Sequence, residues 1–127
     1  NNVLKIVCEV EFIPLYHDQP LFGDITKFLN QHNFMFNKFL GLSGRTLKPL
    51  IANKDKTVAS QHMWTDAVFI KHIEKIQSLS DEKLLKLSLL SAIYNSIDLA
   101  YFCLLIYDKR NSSNISKDWI NPQYGKD

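Results

Sequence analysis

Residues 3–13, VLKIVCEVEFI, constrain the fold more than any other stretch of this 127-residue chain. Val3, Leu4, Ile6, Val7, Val10, Phe12 and Ile13 are strand formers, and they alternate with polar residues only in part. A strand with one wet face alternates strictly. A nearly continuous apolar run reads instead as a strand covered on both faces, as in a mostly parallel sheet. Pro14 ends the ladder because it has no N–H to donate. Glu9 and Glu11 lie two apart and so share one face of the strand, about 6–7 Å from each other.

The period then changes along the chain. Residues 14–24, PLYHDQPLFGD, hold two prolines and a glycine and read as a loop. Ile25, Phe28 and Leu29, with Phe22 before them, fall at helical spacing and predict a short amphipathic helix from about Leu21 or Asp24 to His32. Asn33 is the expected stop, since Asn tolerates the left-handed conformation. Residues 34–42, FMFNKFLGL, predict an aromatic second strand. Residues 43–59 read as a long polar connection, and residues 61–72, QHMWTDAVFIKH, as a third strand with a single charge, Asp66, at its centre.

From Ser78 the pattern is helical. Ser80 is a good cap, and Asp81 and Glu82 sit in the first turn, where the macrodipole favours acids. Leu84, Leu87 and Tyr94 recur at helical spacing, Asn95-Ser96 interrupts, and residues 97–107 are strongly apolar. These predict two helices, 80–93 and 97–109, packed as a pair. The second holds only about eleven apolar residues and includes Asp98, short of the roughly 20 that a bilayer requires. Residues 111–127 read as a polar tail with Trp119, Ile120 and Tyr124 as docking points. The expected division is 1–78, an α/β part, 79–110, a helical hairpin, and 111–127, the tail.

Charge and cysteine usage narrow the function. Fifteen Lys and Arg against 13 Asp and Glu give a net charge of +2. That is no basic stripe, so no nucleic-acid partner is expected. Cys8 and Cys103 both lie inside apolar runs, which argues against a disulfide scaffold and for a reducing, cytoplasmic setting. The start lacks a basic segment followed by a long apolar one, so no secretory signal is read there. The chain has no initiator Met and runs at once into an apolar strand, which suggests a piece of a longer protein.

The common catalytic signatures are missing. His17, His32, His62 and His72 have no zinc spacing. Gly23, Gly41, Gly44 and Gly125 make neither phosphate-binding loop pattern, and no nucleophile elbow is present. Cys8 in mid-strand reads as a packing residue. Three features stay open. Glu9 and Glu11 are either a pair facing a crevice or one backbone-bonded carboxylate beside one at the sheet rim. Asp66, expected to be buried, must be paired or hydrogen-bonded; it either lines a site or caps a loop. Arg45, Lys48, Lys54 and Lys56, with Asp55 among them, form either an anion site or a solvated loop.

Residues 10–16, VEFIPLY, then Gln19-Pro20-Leu21-Phe22, a helix and an aromatic strand resemble the C-terminal part of FkbM-family methyltransferases. Residues 64–71, WTDAVFIK, look like the tryptophan-x-aspartate-alanine-aliphatic-phenylalanine strand that closes the sheet in that family, and the leucine-rich helix pair is similar to an extension many members carry. The resemblance covers about residues 3–105. It implies a Rossmann-like class I sheet and transfer of a methyl group from S-adenosylmethionine to a hydroxyl of a sugar, a glycan or a polyketide-like metabolite. In that frame residues 3–13 are the fifth strand of seven. The last strand, residues 61–71, runs antiparallel between the fifth and the sixth. The family's cofactor motifs precede these strands, so no cofactor-binding residue is carried over and S-adenosylmethionine is expected only for the full-length parent. Ligands of open α/β sheets sit beyond the carboxyl ends of the strands. That rule makes Glu11, Tyr16, His17 and Asp18 the candidate substrate-binding residues. His17 is the candidate catalytic base, since imidazole titrates near neutrality. The fragment alone is expected to be inactive, with the missing N-terminal half as its partner and self-association through the exposed strand edge. The competing expectation is a stand-alone α+β module that docks a partner on its helix pair.

Overall fold

The structure is a computed structural model that describes residues 2–52, 55–121 and 124. The chain divides between His72 and Ile73 into two compact units.

The first unit is a four-stranded sheet with one long helix. β1 (Lys5–Glu11) leads through a loop to α1 (Phe22–Gln31), and α1 leads to β2 (Phe34–Phe39). β3 (Ser43–Arg45) and the long β4 (Gln61–Lys71) follow. The order is β1-β4-β2, with β3 also paired to β4. Every ladder is antiparallel. β1 and β2 therefore point the same way, joined by α1, with β4 reversed between them. The three long strands lie in the expected order, but the expectation of a mostly parallel, doubly covered β1 is corrected. β1 is an edge strand, and Val7 and Glu9 on one of its faces are exposed. The run was misread because Val7 is apolar yet wet, which hides the true alternation.

The other face of β1 builds the core. Val10, Leu29, Phe34, Ala67 and Phe69 are buried together, with Ile6, Cys8, Phe22, Ile25, Phe36 and Phe39 packed around them. A bulge between Phe36 and Lys38 makes the aromatic packing possible. It spends Asn37 as an extra residue, so Phe36 opposite Phe69 and Phe39 opposite Ala67 stay on the α1 face. Phe22 then meets Phe12, Phe36 and Phe39 edge-on at 5.2–5.9 Å between ring centres. α1 ends as its sequence requires: Asn33 has φ of 65°, in the left-handed region. Residues 43–59 are not a plain connection. β3 closes on β4, and a 3₁₀ turn spans Lys56–Val58.

The second unit is helical: α2 (Ile73–Ile76), α3 (Asp81–Ile93), α4 (Ile97–Asn111) and α5 (Ile115–Trp119). Ser80 caps α3 by accepting from the Lys83 amide at 3.3 Å. α3 and α4 pack as the expected pair. Asn95 turns the chain with φ of 57°, and the Ser88 hydroxyl donates to the Ala100 carbonyl at 3.0 Å across the pair. Leu84, Leu87, Leu99, Ala100, Cys103 and Leu104 are buried. The Arg110 guanidinium donates to the carbonyls of Gln77 and Leu79 and pairs with Asp81 at 3.2 Å. The expected polar tail is corrected in part, because α5 forms within it, with Ser116 and Ile120 buried. Trp119 and Tyr124 are exposed. No helix among the described residues is long and apolar enough to cross a membrane.

Candidate functional site

The carboxyl end of β1 and the loop after it hold the residues expected to bind substrate. Two prolines stiffen that loop, and side-chain bonds replace the ladder that Pro14 ends. The Leu15 amide donates to Gln19 Oε1 at 2.6 Å, and the Leu21 amide donates to Asp24 Oδ2 at 2.9 Å, which starts α1. Gln19 also hydrogen-bonds the Glu11 carboxyl, tying the loop back to the strand. The sequence offered no signal for Gln19 beyond its place between the prolines.

Glu11 carries the electrostatic signature of the site. Partial desolvation raises its pKa above the ordinary carboxylate range, and a hydrogen bond and charge repulsion from Glu9 raise it further, against the Gln19 bond. The two glutamates stand on one face of β1, as their spacing predicts, and Glu11 holds its proton more tightly for it.

Tyr16, His17 and Asp18 ring an open cleft of about 630 Å³ with Pro14, Leu15 and Gln19. His17 Nδ1 stands 3.6 Å from Asp18 Oδ1, with side chains 97% and 94% exposed. Water screens such a pair, which adds little to the order of the loop. The structure brings His17, Asp18 and Tyr16 together at the loop tip, with Glu11 at the strand end.

Asp66 is exposed, not buried. The expectation failed because burial on β4 alternates at that point: Thr65 and Ala67 face inward, while Asp66 shares the outward face of its cross-strand partner Glu9. Glu9, Glu11 and Asp66 therefore form an acidic corner. Beside it lies a cleft of about 270 Å³ lined by Glu9, Gly41, Ser43, Trp64 and Asp66. Like charges opposite each other on a sheet repel. Burial first, and then Asp66 and Glu11, raise the pKa of the Cys8 thiol.

In the basic loop, Arg45 and Lys48 line a cleft of about 350 Å³ with Thr46 and Asp55. The Asp55 carboxylate accepts from the Thr57 amide and hydroxyl at 2.9 and 2.6 Å, which holds its pKa down. Lys54 and the Lys56 side chain lie outside the described residues. Among the described residues no three His, Cys, Asp or Glu side chains are arranged to hold a metal ion.

An adenosylmethionine site needs a close backbone approach at a strand-to-helix turn. The turn from β1 to α1 has none: Gly23 lies inside α1, Gly41 follows β2 with φ of 152°, and Gly44 lies against the Gln61 carbonyl on β3. The glycines described here do not fit the cofactor. No known protein family, curated protein or solved structure matches the chain.

Proposed function

We propose that the chain is the C-terminal part of an FkbM-like, S-adenosylmethionine-dependent O-methyltransferase acting on a hydroxyl of a sugar, glycan or polyketide-like metabolite. One observation carries the reading: the order β1-β4-β2, with β4 antiparallel between two strands that run the same way. That is how the resemblance orders the last three strands of a class I methyltransferase sheet, and the sequence placed each strand there. In this reading β1 is the fifth strand, and its open edge is where the preceding half of the sheet pairs.

The roles of the site residues follow from position. Glu11, Tyr16, His17 and Asp18 stand beyond the carboxyl end of β1, on the acceptor side. His17 takes the hydroxyl proton, and the Glu9–Glu11 pair sets the local charge. The cofactor supplies the methyl group from a site outside these residues.

The test is the reading frame upstream of Asn1. A strand followed by a glycine-rich turn is expected there. A start codon at Asn1 or just before it would remove the reading. The second reading, an interaction module without catalysis, is favoured by one feature: Leu85, Leu89 and Ile93 recur every four residues on α3, and all three are exposed.

A further inference from the structure

The positive charge of the chain is concentrated after β3. Residues 45–58, RTLKPLIANKDKTV, hold four basic residues and one acid, a larger positive excess than the +2 of the whole chain. The acid is already engaged, because the Asp55 carboxylate accepts from the Thr57 amide and hydroxyl. Arg45 and Lys48 are exposed and have no ion-pair partner among the described residues. The acids of the sheet lie back along β4. Gln61 pairs with Arg45, Trp64 with Glu11, and Asp66 is two residues further on. Glu11 and Asp66 thus stand about 10 and 16 Å along the strand from the start of the loop, beyond a Debye length of about 8 Å at physiological salt.

The same stretch carries large aliphatic side chains that stay in water. Leu47 is 70% exposed, Leu50 57% and Ile51 77%. One exposed leucine is ordinary, but three large aliphatics within five residues make a patch. The backbone holds them there. The Leu50 amide donates to the Leu47 carbonyl at 3.2 Å, and the Thr46 hydroxyl donates to the Leu50 carbonyl at 3.2 Å, which closes a turn over residues 46–50. Gly44 anchors the start of that turn: a Cβ there would stand 2.7 Å from the Gln61 carbonyl, so β3 lies tight against β4. Arg45, Thr46 and Lys48 line the cleft of about 350 Å³ together with Leu50 and Ile51. Cations, a hydroxyl and aliphatic groups therefore meet in one hollow.

We propose that this loop docks on an anionic lipid surface, with Leu47, Leu50 and Ile51 entering the boundary between headgroups and acyl chains and with Arg45 and Lys48 on the lipid phosphates. Bases interleaved with aliphatics suit a surface that sets negative charge over hydrocarbon within about 5–10 Å. Each base held near such a surface strengthens binding about fivefold, and each aliphatic that leaves water adds to it. A nucleic acid or another plain polyanion would use the bases and leave the aliphatics exposed. The contact is peripheral and needs no membrane-spanning helix.

Docking of this kind is independent of the methyltransferase reading, and the 127-residue chain is the protein to test. Vesicles of phosphatidylcholine and phosphatidylserine in equal parts should carry the chain down on sedimentation, more at low salt than at high. Vesicles of phosphatidylcholine alone should bind it at least about tenfold less. Leu50→Ser with Ile51→Ser should weaken binding about tenfold or more, and Arg45→Gln with Lys48→Gln about twentyfold. All four side chains are exposed, so the circular dichroism spectrum should not change. Ile51→Trp should tighten binding, since Trp favours the membrane interface, and a gain cannot come from misfolding. No sedimentation with either vesicle, the result expected if a protein surface covers the loop instead, would overturn the proposal. So would binding that survives the double serine change, equal binding to both vesicles, or an Ile51→Trp variant that binds no better.

Discussion

Asp108 should hold α5 on α4, and replacing it should cost about 2–3 kcal/mol. Its side chain is only 8% exposed. One oxygen accepts from the Ser113 hydroxyl at 2.5 Å and the Ile115 amide at 3.1 Å. The other accepts from the Ser116 amide at 2.8 Å and the Ser116 hydroxyl at 2.5 Å. Asn114, at the cap position, makes no side-chain cap bond, so Asp108 supplies the acceptor that the first amides of α5 require. Burial alone would raise its pKa, but the four bonds win and bring it down to about 2.

Two routes give the magnitude. A drop from 3.8 to about 2 corresponds to roughly 2 kcal/mol of preference for the charged form. Removing an acceptor from buried donors costs about 1–3 kcal/mol for each donor that water does not recover. The folded-state pKa lies below the unfolded one. The contribution is therefore complete above about pH 4 and is lost as pH falls toward 2. Asp108→Asn keeps one acceptor oxygen and the shape. Urea unfolding followed by Trp119 emission, in a Trp64→Phe background, reads the unit that holds α5. The variant should lose about 2–3 kcal/mol at pH 7, and the gap should shrink toward pH 2. A loss below about 0.5 kcal/mol, the usual range for an inert surface change, would refute the reasoning. A gap constant with pH would refute it equally.

Asn33→Ala should cost about 1 kcal/mol of stability and Asn33→Gly almost none, because φ there is 65°; thermal melts of the pair decide it. Glu9→Gln should bring the Glu11 pKa down toward the ordinary range, read by carboxyl carbon shifts in an NMR titration. Since the wild-type folded-state pKa is raised, the stability tied to Glu11 is present at low pH and lost as pH rises through that value; an unmoved titration would break the pair apart. Burial pushes the Cys103 thiol up to about 12. Its alkylation at pH 8 should be slower than that of a free thiol by about a thousandfold or more until urea is added.

The strands and the helix pair were legible because their apolar residues keep a period. Asn33 and Ser80 were legible because turn and cap chemistry is local. Val7 and Asp66 were misread for one reason. A sequence shows that a residue lies in an apolar run, but which strand it pairs with decides whether its face is covered. β3 was invisible, because three small and polar residues pair only after β4 is in place. α5 was invisible too, because Asp108, in the last turn of α4, supplies the acceptor for its start. At the candidate site the loop residues were named from position alone. Gln19, which ties that loop to Glu11, was not, since its partners meet only in the fold.

The most direct test is calorimetric titration of S-adenosylmethionine into two proteins: the 127-residue chain and the same chain extended upstream through its reading frame. The account predicts no binding to the first and saturable binding to the second. Binding to the 127 residues alone, or none to the extended protein, would contradict it.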